Sequence, residues 1–305
     1  MLELQPDPEQ PGPIPTRPVR IGPLTIGAGD PCLIAGPCSV EPGYPDQVQL
    51  LQEAGVDGLR ANLFKPRTHP GSFQGLGDAG LDLLREARRR THLPLFTEVL
   101  DAREAELVGD LVDCLWVGAR NMQNFRLLEA LGEMGKPVLL KRGMGATVEE
   151  WVGASEYLRR RGNHQVVLCE RGIRTFEPST RNTLDLSSVV VVRERTDLPV
   201  LVDPSHAAGN RRWVAPLARA ALAAGADGLL VEAHPEPEQA WSDGEQAIDL
   251  TQLCSLVHDV RRAALRYTDQ GSDPQPRPRL AGVLEDEIAR LTALRDRLGL
   301  ASEFA

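Results

Sequence analysis

Eight short apolar runs, each separated from the next by a longer segment, constrain this chain more than any other feature. They are "CLIAGPC" (32–38), "GLRANLF" (58–64), "LPLFTEV" (93–99), "CLWVGA" (114–119), "PVLLKRG" (137–143), "QVVLCERG" (165–172), "LPVLVDPSH" (198–206) and "GLLVEAHP" (228–235). Runs that are apolar at nearly every position suit strands covered on both faces, the condition of a parallel sheet. Between them, segments such as "DLLREARRR" and "RWVAPLARAALAAG" repeat apolar residues at helical intervals. This α/β alternation, eight units long, predicts a closed (β/α)8 TIM barrel rather than an open doubly wound sheet. The first strand alone lacks a clear helix partner of good length.

The flanks read differently. "VRIGPLTIGAG" (19–29) alternates apolar and polar residues around Gly-Pro and predicts a short N-terminal β-hairpin. Residues 1–18 are acidic and Pro-rich and are expected to form a disordered tail, because such sequence buries too little apolar area to offset its ordering entropy. The barrel with its hairpin is expected over 19–268, and a Pro/Gly-rich linker over 269–283. A C-terminal helical extension over 284–305 then puts Leu284, Ile288, Leu291 and Leu298 on one amphipathic stripe. One helix cannot make a domain, so it is expected to pack on the barrel or on another subunit.

A formal net charge of −9 argues against a general nucleic-acid binder, which needs positive charge facing the phosphates. No apolar run approaches the 18 or so residues of a membrane span, and the first residues lack the basic and apolar segments of a signal peptide. The five cysteines are scattered, mostly in apolar runs, and read as a reduced, cytoplasmic set rather than a disulfide framework.

In a barrel of this kind the C-terminal ends of the strands carry the chemistry. Those ends hold Cys38, Lys65 and Arg67, Arg120, Lys141 and Arg142, Glu170 and Arg171, Asp203 and His206, and Glu232 and His234. Two subsets separate. Lys65, Arg67, Arg120, Lys141 and Arg171 are cations from four strands, and gathering them is costly unless multiply charged anions occupy the site. Arginine offers a bidentate fork to phosphate or carboxylate, lysine a compact charge. Cys38, His206, Glu232 and Asp243, the last in "WSDG", make a mixed thiolate, imidazole and carboxylate set suited to a divalent metal such as Zn, Mn or Fe. Their sequence spacing is long, but a barrel brings its first, seventh and eighth strands side by side.

Eight blocks in order carry a family resemblance: "IAGPCSVE", "FKPRT.P.SFQGLG", "TEVLD", "GARNMQN", "PVLLKRGM.AT.EEW", "CERGIRTFE..TRNTLDL", "VDPSHA.G" and "VEAHP.PE.A.SDG". Over about residues 18 to 265 the chain resembles 3-deoxy-D-arabino-heptulosonate 7-phosphate synthase, in the microbial branch related to 3-deoxy-octulosonate 8-phosphate synthase. The resemblance implies a metal-dependent, aldol-type condensation of phosphoenolpyruvate with erythrose 4-phosphate, the first step of the shikimate route. It implies Cys38, His206, Glu232 and Asp243 as ligands of one divalent ion (Mn, Fe, Zn or Co). Arg120, Lys141 and Arg171 then match the positions holding the phosphoenolpyruvate phosphate, and Arg60 and Lys65 those near its carboxylate. Arg67 and Thr68 match the erythrose 4-phosphate end. Lys65 and His206 are the residues expected at the reacting centre, and a homo-oligomer, tetramer or dimer, is expected by resemblance.

The chain also departs from its relatives. Ala61 and Asn62 stand where the family usually has two glycines, which either reshapes the floor under phosphoenolpyruvate or repacks the barrel. "THPGSF" replaces the commoner "TSPYSF", so His69 and Gly71 bear on which aldehyde is accepted. A synthase for a different aldose phosphate and a non-catalytic homologue acting as a partner subunit are the competing readings. "KPRT" argues against the arabinose 5-phosphate enzyme, whose loop is usually "KANR"-like. The complete ligand and cation sets argue against the non-catalytic one.

Overall fold

The computed structural model describes residues 14–267 except Thr68. The predictions for most of the tail, the linker, the C-terminal helix and Thr68 therefore lie outside the described residues.

The hairpin is β1 (Val19–Ile21) against β2 (Leu24–Ile26), antiparallel, with Val19 opposite Ile26. Eight parallel strands follow: β3 (Cys32–Gly36), β4 (Gly58–Arg60), β5 (Leu95–Val99), β6 (Cys114–Val117), β7 (Val138–Lys141), β8 (Val166–Glu170), β9 (Val200–Val202) and β10 (Gly228–Glu232). They close in sequence order, with β10 pairing β3 from Gly228–Cys32 to Glu232–Gly36. This is the predicted barrel, and each strand lies inside its predicted run. The runs were longer than the strands because they continue into the buried start of the loop that follows.

The helices are α1 (Tyr44–Glu53), α2 (Leu81–Arg90), α3 (Ala102–Val108), α4 (Phe125–Met134), α5 (Val148–Arg160), α6 (Ser187–Arg195), α7 (Pro204–Ala208), α8 (Arg211–Ala223) and α9 (Leu250–Tyr267). The first strand does have a helix partner, α1, ten residues long. Three glutamines break the apolar pattern of "YPDQVQLLQE", yet Gln47 is buried with Tyr44, Val48 and Leu51. Local signals set other helix ends: Thr147 and Glu150 form a reciprocal capping box at the start of α5, and Gly135 ends α4 in the left-handed conformation.

Alternate strand residues divide between two cores. Leu33, Leu59, Leu115, Leu140 and Leu168 face the helices, while Ile34, Phe96, Trp116, Leu139, Val167 and Leu230 fill the barrel. Each such side chain taken wholly out of water stabilises the fold by about 1.5–3 kcal/mol. Val19, Ile21 and Ile26 of the hairpin join the inner cluster. Gly22 sits beside Pro94 and Asp113, and Gly27 beside Pro199, residues that precede β5, β6 and β9. The hairpin thus covers the N-terminal end of the barrel and leaves the C-terminal end to chemistry.

Candidate active site

At that C-terminal end lies a cavity of about 210 Å³. Its wall includes Cys38, Arg60, Lys65, Arg67, Arg120, Lys141, Arg171, His206 and Asp243. Every predicted site residue that is described lines it except Glu232, which is fully buried and bonded to Arg60 and His206. Each strand delivers its own piece. Arg60, Lys141 and Glu232 are the last residues of β4, β7 and β10. Cys38 and Arg171 lie in loops just beyond β3 and β8, Asp243 lies farther along the loop after β10, and His206 is held in the short α7 after β9.

The "KPRT" segment is a loop folded back on itself. Lys65 N donates to Gln74 O at 2.9 Å, and Gly77 N to Leu63 O at 2.9 Å. Gly75 makes the reversal possible: its φ is +91°, and a Cβ there would lie 2.1 Å from Leu63 O. The loop delivers Lys65 Nζ to 2.5 Å from Cys38 Sγ, 2.8 Å from Asp243 Oδ2 and 3.0 Å from Ser242 Oγ. Arg67 Nη1 reaches the same Asp243 oxygen at 3.3 Å.

A sulfur of Cys38, a ring nitrogen of His206 and a carboxylate oxygen of Glu232 lie within 4.8 Å of one another. These three could hold a metal ion. Asp243 stands at the edge of the group, with Oδ2 3.0 Å from Cys38 Sγ. The donor set fits a borderline divalent cation, being one sulfur, one imidazole and carboxylates. The surroundings fit too, because His206 Nδ1 is 2.7 Å from Asp203 Oδ2, which leaves Nε2 directed at Glu232 Oε1, 3.3 Å away.

The electrostatics follow from burial opposed by pairing. Burial pushes the Cys38 thiol above its ordinary value, helped by Glu232, while Lys65 and Arg60 act the other way. Burial also acts to raise Asp243, but the ammonium of Lys65, the Cys38 thiol and His206 together outweigh it and hold the carboxyl well below the usual range. Burial lowers His206 despite the carboxylates of Asp203 and Glu232. Arg171 is lowered by burial, opposed by Asp203, and by the like charges of Arg181 and Arg120. Three cations thus crowd one wall, which an anion would relieve. Arg60 is 1 % exposed, pairs with Glu232 at 2.9 Å, and stacks over Trp116. Its Nε and Nη1 are buried and have no protein acceptor.

Other residues prove differently placed. Arg142, at a strand end like the rest, turns away from the cavity and pairs with Glu170 at 3.0 Å and Asp185 at 2.7 Å. Asn62 is buried, donates to Cys38 O at 3.1 Å and accepts from Glu98 N at 2.9 Å, so it splints the ends of β3 and β5 while lining the cavity. His69 also lines the cavity and is exposed. Glu98 and Arg181 escape the sequence reading, and Asp203 appears in it at a strand end without a role. Glu98, next to last in β5, lines the cavity, and a Cβ on Gly118 would fall 1.9 Å from its Oε1. Arg181 lies in the long loop after β8, eleven residues from the strand end, and carries no local signal.

A closed (β/α)8 barrel whose mouth joins a group able to hold a metal to several cations has the active-site face of a barrel enzyme suited to small, multiply charged anions. The chain belongs to the DAHP synthetase I family, whose model matches residues 13–264. It is 49 % identical over 248 residues to phospho-2-dehydro-3-deoxyheptonate aldolase of Thermotoga maritima, covering 81 % of this chain and 73 % of that one. It is 32 % identical over 263 residues to 2-dehydro-3-deoxyphosphooctonate aldolase of Syntrophotalea carbinolica, covering 79 % and 94 %. The crystal structure of the Thermotoga maritima DAHP synthase superposes with a TM-score of 0.78 at 45 % identity over 84 % of this chain and 78 % of that one. Among the described residues, no helix is long and apolar enough to cross a membrane.

Proposed function

We propose that the protein is a 3-deoxy-D-arabino-heptulosonate 7-phosphate synthase. It condenses phosphoenolpyruvate with erythrose 4-phosphate and water, releases phosphate, and opens the shikimate route to aromatic amino acids. One observation carries the reading: the cations from four strands line the same small cavity as Cys38, His206 and Asp243. The 49 % identity to a heptonate aldolase against 32 % to an octonate aldolase favours the four-carbon sugar.

Arg120, Lys141 and Arg171 hold the phosphoenolpyruvate phosphate, and Arg60 with Lys65 its carboxylate. Arg67 and Thr68 take the phosphate of the aldose. Cys38, His206, Glu232 and Asp243 would hold a divalent ion (Mn, Fe, Zn or Co), which supplies Lewis-acid polarisation of the aldehyde when bound. The cation set fixes the two anions side by side so that carbon 3 of phosphoenolpyruvate can bond to the aldehyde carbon. Lys65 is the acid that protonates the resulting alkoxide oxygen. Its pKa is set by burial, which lowers it, against Cys38, Glu232 and Asp243, which together raise it, so it carries its proton at neutral pH. Water then adds at carbon 2, and phosphate leaves with cleavage of the C–O bond. The enzyme acts in the cytoplasm as a homo-oligomer.

The test is phosphate release from phosphoenolpyruvate after chelation and re-addition of Mn, with erythrose 4-phosphate, ribose 5-phosphate and arabinose 5-phosphate in parallel. Chelator-sensitive turnover with the four-carbon sugar is expected. Preference for a five-carbon sugar would instead make Asn62 and His69 retuning residues, and no turnover with any would refute the enzyme reading.

A further inference from the structure

Beyond β10 lies a second buried charged cluster that the reaction does not use. His234 and Glu41 are 4 % and 5 % exposed. Glu236 N donates to His234 Nδ1 at 2.9 Å, and the ring's Nε2 lies 2.5 Å from Glu41 Oε1 and 3.0 Å from Gln47 Nε2. Gln47 Nε2 donates to the same oxygen at 2.6 Å. The other oxygen, Oε2, accepts the backbone N–H of Trp241 at 3.1 Å. Glu41 therefore spends both oxygens on tying α1 and the end of β10 to one backbone position in the loop that carries Asp243.

That loop needs a tie. Its base is closed by Ile248, which bonds to Glu232 O and His234 N. Away from the base it meets the β3 loop through Trp241 N on Glu41 and through Ser242 Oγ, 3.0 Å from Ser39 Oγ. Asp243 itself has φ +54°, unique among the described non-glycine residues in being positive. A side chain persists in that conformation only where its surroundings over-determine it. Cys38 and Glu41 leave the same strand three residues apart, so the geometry of one loop sets both ends of the Cys38–Asp243 contact.

We propose that Glu41, clamped by His234, is a positioning residue that fixes Trp241 and thereby delivers Asp243 to Cys38 and Lys65. The proposal rests on the reading of Asp243 as a metal ligand. The experiment is a double-mutant cycle on the full chain: Glu41→Ala, Asp243→Asn and the pair, with Mn affinity read by competition against a chromophoric chelator and without turnover. Each single variant is expected to weaken Mn binding about 10- to 100-fold, and the pair to be no more than about threefold weaker than the weaker single, since both remove one interaction. Hydrogen exchange over 235–246 rises in Glu41→Ala and not in Asp243→Asn. Multiplying losses, or a Glu41→Ala protein that binds Mn like the wild type while Asp243→Asn does not, overturn the proposal alone. An Asp243→Asn protein with unchanged affinity overturns the ligand reading and the proposal with it. Should Glu41→Ala fail to fold, Glu41→Gln runs the same cycle, keeping the shape while losing the acceptor that faces His234 or the one that faces Trp241.

Discussion

Lys141 and His206 share a single oxygen atom. Oδ2 of Asp203 accepts from Lys141 Nζ at 2.8 Å and lies 2.7 Å from His206 Nδ1, and the carboxyl is fully buried. Oδ1 takes the backbone N–H of His206 at 3.0 Å. One carboxylate thus orients a proposed phosphate-binding lysine and a proposed metal-binding imidazole together. Asp203→Asn is expected to weaken metal binding about 10- to 100-fold and to raise the KM for phosphoenolpyruvate, with the KM for the aldose nearly unchanged. Chelator competition and steady-state kinetics measure both. A variant changed in only one of the two would show that the shared atom does not couple them.

Cys38 supplies the sulfur of the proposed ligand group. Cys38→Ala is expected to lose tight metal binding and nearly all turnover while keeping its circular dichroism spectrum and oligomeric state. Normal turnover in metal-buffered solution would remove Cys38 from the site.

Arg142 is a strand-end cation that turns away from the cavity. It holds Glu170 and Asp185 in a buried pairing, and removing it strands Glu170, whose carboxyl burial already raises it against the pull of Arg142. Arg142→Ala is expected to cost about 3–5 kcal/mol of stability, measured by urea unfolding. A loss below about 1 kcal/mol would mean that solvent reaches the pair.

Asp227 offers a pH test far from the chemistry. Burial raises its carboxyl above the ordinary 3.8, against bonds from Val200 N and Arg193. A folded pKa above the unfolded one means a contribution to stability that is fully present below the unfolded value and lost as pH rises through the folded value. The melting temperature of Asp227→Asn, relative to wild type, should therefore climb as pH is raised from about 4 and then level off. A difference that stays flat across that interval would show that Asp227 keeps its ordinary pKa.

The strands were legible because a parallel barrel buries both faces, so "CLIAG" and "VVLCE" read as apolar without any alternation. The strand-end rule then found most of the cavity wall, since a barrel converts position along a strand into position in space. The same rule swept in Arg142, because it cannot tell a side chain turned inward from one turned toward the helices. It gave no role to Asp203 or Glu41, whose partners are Lys141 and Trp241, 62 and 200 residues away. Asn62 was visible as an oddity, but its grip on Cys38 O and Glu98 N exists only once β3, β4 and β5 are side by side.

The hairpin at the foot of the barrel has one further consequence. With Val19, Ile21 and Ile26 sealed against the inner core, the barrel is a cup and not a tube. Field lines from the charges on its rim meet a dry apolar floor and emerge through one opening. An acidic protein thereby presents a mouth lined by several cations, a local field that favours the entry of small anions.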